Sequence, residues 1–149
     1  FENIRLLDKK DIYAKAYIDE GGFDSTDTQL QSVEMDDQLS LTPEFPYNWM
    51  YDGTKNTLNR VKAYFELEME CRALLLVFKD SGEGNVGKAK VYVDGEYHFT
   101  ADPHINNWQH CNAVIIFNNK TSENHVVRIE IEEEDRDKQF TILGFGYVL

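Results

Sequence analysis

The sequence predicts an all-β fold, an antiparallel β-sandwich of jelly-roll type, and three observations lead there. Apolar and polar residues alternate strictly: Val61, Ala63, Phe65, Leu67, Met69 and Cys71 are separated by Lys62, Tyr64, Glu66, Glu68 and Glu70. A period of two puts the apolar set on one face of a strand, whereas on a helix it would scatter around the circumference. Asp94-Gly95 then joins two further alternating runs, and this dipeptide tolerates the positive φ of a tight hairpin turn. Finally, about seven to nine short strand-like segments follow one another with turn residues between them and no long helical period.

The elements follow in order. Tyr13–Ile18 and Gln29–Met35 are each read as a strand, with a Gly21-Gly22 loop over Asp19–Asp27 between them. Thr42–Gly53 holds two of the three prolines and several aromatics, and reads as a long ordered loop. The alternating strand from Val61 is followed by the apolar run Leu74–Phe78, as in a strand covered on both faces. Gly82–Gly87 is a loop, and Lys88–Phe99 is the hairpin. Further strands are expected at Ala113–Phe117, Val126–Ile131 and Phe140–Val148, where Gly144 and Gly146 suggest a bulge or a close backbone approach. The expected core is Val61, Phe65, Leu67, Met69, Leu75, Val77, Val91, Val93, Ile115, Ile129 and Ile142.

A chain of 149 residues, 42% hydrophobic and 13% aromatic, has the length and composition of a single globular domain spanning 1–149. There is no internal repeat, linker or low-complexity tract to divide it. The chain opens at Phe1, which reads as a piece cut from a longer, multidomain protein. A formal net charge of −12 excludes nucleic acid, because that binding runs on Lys and Arg neutralising phosphates. An anionic membrane surface is disfavoured for the same reason, and no apolar run reaches the length of a spanning helix. Two cysteines, Cys71 and Cys111, are too few for a disulfide scaffold; both are expected as buried thiols, with a bridge between neighbouring strands as the alternative.

The chemistry-bearing residues do not assemble into a catalytic motif. There is no Gly-x-Ser-x-Gly elbow. His98, His104 and His110 are too widely spaced for a zinc pair, and His125 falls near a strand start. Glu130 and the run Glu132–Asp137 offer paired carboxylates, but such a run is first of all a solvated turn. Hard cations want several oxygens from one or two loops, so Asp19, Asp24 and Asp27 are the candidate ligands of a structural calcium. No other cofactor is called for.

The aromatics suggest a ligand. Tyr47, Trp49 and Tyr51 fall in the long loop, and Trp108 follows the loop Pro103–Asn107. Sugars stack their C–H faces on exposed rings, while amides and carboxylates take the hydroxyls. Asn107, with Asn48, Asn106, Gln109 and Asp52, stands beside these rings in sequence. The alternative is that Trp49 and Trp108 plug the ends of the core.

Gly87-Lys-Ala-Lys-Val-Tyr-Val-Asp-Gly95, then Trp108, then His125-Val-Val-Arg-Ile-Glu-Ile131 and Phe140-Thr-Ile-Leu-Gly-Phe-Gly-Tyr147 make up a recognisable order. It resembles the carboxy-terminal β-sandwich that follows the catalytic domain in some bacterial SGNH/GDSL-type hydrolases, and galactose-binding-like jelly rolls more broadly. Phe45-Pro-Tyr-Asn-Trp49 extends the resemblance upstream. The resemblance implies a non-catalytic, carbohydrate-binding accessory role beside the catalytic domain of the same parent chain. It transfers no catalytic serine or histidine, since the nucleophile block of that family is missing here. It leans toward an extracellular or bacterial cell-surface location. A packing domain without a ligand, or a small acidic-pair hydrolase, are the other readings.

Overall fold

The computed structural model describes residues 3–10, 16–28, 47–55, 60–105 and 111–149. Its strands are β1 (Arg5–Leu7), β2 (Tyr17–Asp19), β3 (Trp49–Asp52), β4 (Tyr64–Lys79), β5 (Ala89–Val93), β6 (Glu96–Ala101), β7 (Cys111–Ile131) and β8 (Gln139–Val148). A short 3-10 turn, Glu133–Asp135, joins the last two. All pairings between these strands are antiparallel, in the order β1-β8-β4-β7-β5-β6, with β2 against β4 and β3 against β8. Hydrogen-bonded neighbours are mostly distant in sequence, which is jelly-roll connectivity rather than a meander.

The long strands serve two layers. Residues Tyr64–Cys71 of β4 pair with Glu123–Glu130 of β7, and β5 and β6 continue outward from there. Residues Ala73–Lys79 of β4 pair with Cys111–Asn118 of β7 on one side, and Ala73–Phe78 pair with β8 on the other. Phe65, in the first half of β4, stacks on Phe145 of β8 at 5.7 Å and meets Trp49 of β3 at 5.2 Å, although neither strand is its hydrogen-bonded neighbour. These contacts are made face to face across the core, so the chain is a sandwich. One layer is β2, the first half of β4, the second half of β7, β5 and β6. The other is β1, β3, β8 and the remaining halves of β4 and β7.

The switch between layers occurs at an irregularity. The β4–β7 register shifts between Cys71 and Ala73 and again between Leu74 and Leu75. A bulge bends the strand and moves every later side chain to the other face. Phe65, Leu67, Met69 and Cys71 point inward before it, and Leu74, Leu76 and Phe78 after it. Two expected core residues, Leu75 and Val77, therefore face outward and are only half-buried. Ile115, paired with Leu75, is half exposed for the same reason. Val61 precedes β4 and is 78% exposed, so the alternation enters the core only at Ala63. Phe65, Leu67, Met69, Val91, Val93, Ile129 and Ile142 are buried as expected.

Other expectations meet mixed fates. The two strand segments read at Val61–Cys71 and Leu74–Phe78 are one strand, as are those at Ala113–Phe117 and Val126–Ile131. The long loop contains β3, paired with the start of β8. Tyr13–Ile18 is represented by β2, while Gln29–Met35 lies outside the described residues. The glycines of β8 show both anticipated features. A Cβ on Gly146 would stand 2.8 Å from Ile4 Cδ1 and one on Gly144 would stand 3.1 Å from the Leu7 carbonyl, and the register against β4 shifts between Val77 and Phe78. Cys71 is buried, but Cys111 is exposed. Cys71 lies midway along β4, paired with Glu123, whereas Cys111 opens β7, paired with Lys79 at the end of β4, so no bridge joins them.

Candidate functional site

The alternation that buries one face of the first layer necessarily presents the other to solvent. Strand register then assembles that outer face from residues far apart in the chain. One row runs Asp19–Glu66–Arg128–Tyr92–Tyr97 across β2, β4, β7, β5 and β6. The row beside it runs Tyr17–Glu68–Val126, and a third runs Tyr64–Glu130–Lys90–Thr100. Tyr97 belongs to this face because His98 is an extra residue in β6. Val91 is paired with Phe99 but Tyr92 with Tyr97, so Tyr97 and Phe99 lie on opposite faces.

Two adjoining depressions lie in this face. One, of about 350 Å³, is lined by Glu66, Tyr92, Gly95, Val126, Arg128 and Glu130. The other, of about 220 Å³, is lined by Tyr17, Ile18, Asp19, Glu66, Glu68 and Val126. They share Glu66 and Val126, and so form one open trough across the strands.

The trough is held in shape by its own polar groups. Arg128 donates from Nη1 to Glu66 Oε1 at 2.7 Å and from Nε to Glu130 Oε2 at 3.3 Å. Its guanidinium lies 4.2 Å from the centroid of the Tyr64 ring, a cation–π arrangement. Burial works against the charged guanidinium, but the Glu66 and Glu130 carboxylates outweigh it and hold Arg128 above its ordinary range. Arg136 donates to the other oxygen of Glu130, Asn124 to Glu68, and Tyr64 to Asp19. Tyr92 and Tyr97 meet edge to face at 5.9 Å, and the Tyr97 and Thr100 hydroxyls are 2.7 Å apart. Each carboxylate retains acceptor capacity beyond these bonds. A fixed Arg, aromatic rings and oriented carboxylates suit a polyhydroxylated ligand.

The loop aromatics named from sequence are elsewhere. Trp49 and Tyr51 are fully buried in β3, Trp49 against Phe65 and Phe145 and Tyr51 against Phe23. The Tyr51 hydroxyl donates to the Arg136 carbonyl at 2.6 Å. Neither ring is an exposed platform, and that expectation is corrected. A strand inside a sandwich buries aromatics that a loop would have displayed. Asn48 and Asp52 are buried beside them and bonded within the chain, Asn48 to the Asp27 backbone and Asp52 to Thr54. Tyr47 is exposed, with Lys10 Nζ 5.1 Å from its ring centroid. Trp108 and Asn107 lie outside the described residues.

The calcium expectation is corrected in part by geometry. Asp27 is buried and its Oδ2 accepts from Lys79 Nζ at 3.0 Å and Thr141 Oγ1 at 2.8 Å. Asp19 faces the trough, while Asp24 is exposed. Among the described residues no three His, Cys, Asp or Glu side chains are grouped to hold a metal ion, so Asp19, Asp24 and Asp27 do not converge. A hydrogen bond with Glu134 raises the Glu132 carboxyl, and a backbone amide together with that bond lowers Glu134, but the pair lies at the start of the 3-10 turn and lines neither depression.

With this geometry in place, the fold has clear counterparts among solved structures. A two-domain esterase active on acetylated mannans, co-crystallised with mannopentaose, superposes with a TM-score of 0.66 at 15% identity, over 98% of this chain and 36% of that one. An acetyl xylan esterase from the rumen bacterium Butyrivibrio proteoclasticus gives 0.58 at 9% identity, over 97% of this chain and 32% of that one. A family 35 carbohydrate binding module from an environmental isolate gives 0.54 at 11% identity, over 97% of this chain and 93% of that one. The chain has the β-sandwich fold of that module. It spans about a third of the length of the two esterases. No protein-family model matches the sequence, and no curated protein does either.

The trough residues form no motif in the sequence because they occupy the polar positions of alternating strands. One signal was available. Tyr64, Tyr92 and Tyr17 stand where a solvent-facing strand position more often carries a small or charged residue, and large exposed aromatics are informative.

Proposed function

We propose that this chain is a non-catalytic carbohydrate-binding domain of a longer SGNH/GDSL-type esterase, acting outside the cell or at a bacterial cell surface. The observation that carries this reading is the trough of tyrosines and oriented carboxylates around Arg128. The fold likeness to a carbohydrate binding module over nearly the whole of both chains supports it, as does the likeness to parts of two carbohydrate esterases. Its task would be to hold the catalytic domain of the parent chain near a glycan and so raise the local concentration of ester groups.

The test is a glycan-array screen of the isolated chain, followed by affinity electrophoresis in gels containing mannan or xylan. Wild type should be retarded by at least one glycan. Arg128→Ala and Tyr92→Ala should migrate freely while keeping the wild-type circular dichroism spectrum. The chain should release no acetate from acetylated mannan. Acetate release that disappears with one carboxylate or histidine would sink the non-catalytic reading.

A second reading, a domain that only packs against its partner, is favoured by one observation. On the outer face of the other layer Leu6, Gly146, Leu75 and Ile115 lie side by side across four strands, with Ile4 beside them, and Ile4, Leu6 and Ile115 are exposed. An apolar stripe of this kind suits a domain contact. The stripe is separate from the trough, so one domain can carry both a packing face and a glycan site, and the glycan array decides whether it only packs.

A further inference from the structure

Resting on the carbohydrate-binding reading, we propose that the trough takes an internal stretch of a linear, neutral glycan of about four sugar units lying across the strands. Tyr17 and Tyr97 are its two terminal stacking platforms. The first argument is length. The two depressions are contiguous through Glu66 and Val126. From β2 at one end to β6 at the other, the row crosses β4, β7 and β5. Neighbouring strands are ~4.8 Å apart, so the row measures about 19 Å, roughly the reach of four pyranose rings placed end to end.

The second argument is where the aromatics stand. Tyr17, on β2, is 71% exposed, and Tyr97, on β6, is 55% exposed. Tyr17 lines the β2 end of the trough, and Tyr97 stands just beyond the other end, on β6 beside the lining residue Tyr92, with the less exposed Tyr64 and Tyr92 between them. Tyr64 already carries the Arg128 guanidinium on its ring, and Tyr92 braces Tyr97. The end rings are thus the ones with a free face for a sugar, and the centre supplies hydrogen bonds.

Charge selects the ligand. The lining holds four carboxylates, Asp19, Glu66, Glu68 and Glu130, against one cation, Arg128. Arg128 is already engaged by two of them. With a net charge of −12 on the whole chain, a uronate-bearing glycan meets repulsion and finds no unengaged guanidinium in the trough. Neutral hydroxyls, by contrast, can donate to the carboxylates.

The test is isothermal titration with manno- and cello-oligosaccharides from monosaccharide to hexasaccharide, with polygalacturonate as the anionic control. Affinity should rise about tenfold or more from disaccharide to tetrasaccharide and then level off. Tyr17→Ala and Tyr97→Ala should each weaken tetrasaccharide binding several-fold, flatten the rise in affinity from disaccharide to tetrasaccharide, and keep the wild-type circular dichroism spectrum. Polygalacturonate should not bind, even at high salt. Three results overturn this inference while leaving the carbohydrate reading standing: a monosaccharide bound as tightly as a tetrasaccharide, wild-type tetrasaccharide affinity in both tyrosine variants, or binding confined to charged or branched glycans on the array. Absence of binding to every glycan removes both.

Discussion

Lys79 and Asp27 form a buried ion pair, Nζ to Oδ2 at 3.0 Å, that ties the end of β4 to the segment following β2. Thr141 donates to the same carboxylate oxygen, and Asn48 exchanges two hydrogen bonds with the Asp27 backbone. Removing one member of such a pair strands the other charge away from water. Lys79→Met should therefore destabilise the domain by about 3–5 kcal/mol in urea unfolding. The double variant Asp27→Asn, Lys79→Met should recover part of that loss, because it strands no charge. A single variant as stable as wild type would show that the carboxylate is satisfied without the lysine.

Trp49 packs against the stacked pair Phe65 and Phe145 in the core of the sandwich, fully buried. Trp49→Ala should cost about 3–5 kcal/mol of stability through the cavity it leaves. Thermal unfolding measures this directly. Where the variant remains folded at low temperature, its affinity for any glycan bound by wild type should be unchanged, since the ring is remote from solvent.

Asp94 shapes the β5–β6 turn at φ 51°, accepting from His125 Nδ1 at 2.7 Å and from the Val126 amide at 2.9 Å. The His125 bond, then the Val126 amide, holds its carboxyl below the ordinary carboxylate range. A group that binds its proton less readily when folded stabilises the fold above its unfolded pKa, and that stabilisation is lost as pH falls through the folded value. Asn tolerates the same positive φ, so Asp94→Asn isolates the charge. The stability difference between wild type and Asp94→Asn should be present at about pH 5 and shrink as pH falls below about 4. Urea titrations across this range test it; a difference that persists undiminished at pH 2 would contradict it.

Burial pushes the Cys71 thiol up to about 11, while Cys111 is exposed. The thiolate is the reactive species. Iodoacetamide at neutral pH should label the native chain once, on Cys111, with Cys71 modified only after unfolding. Peptide mass mapping distinguishes the two sites, and rapid labelling of Cys71 in the native state would show that β4 opens readily.

Some of this protein was determined by the sequence alone. The alternation from Ala63 to Cys71, the Asp94-Gly95 turn and the glycines of the last strand specify strands, a hairpin and a close approach, because each is a property of neighbouring residues and backbone sterics. The sandwich class followed from counting such elements. Other features depended on which strands meet and in what register. The register shifts between Cys71 and Leu75 turned Leu75 and Val77 outward, and nothing in that apolar run marks where the phase changes. Trp49 and Tyr51 became core because β8 and Phe65 close over β3, a contact between segments far apart in the chain. For the same reason the trough could not be read beforehand. Tyr17, Glu66, Arg128, Tyr92 and Tyr97 come from five strands and share a face only once hydrogen bonding has aligned them. Local pattern says which side of a strand is wet; only the tertiary register says which wet residues stand together.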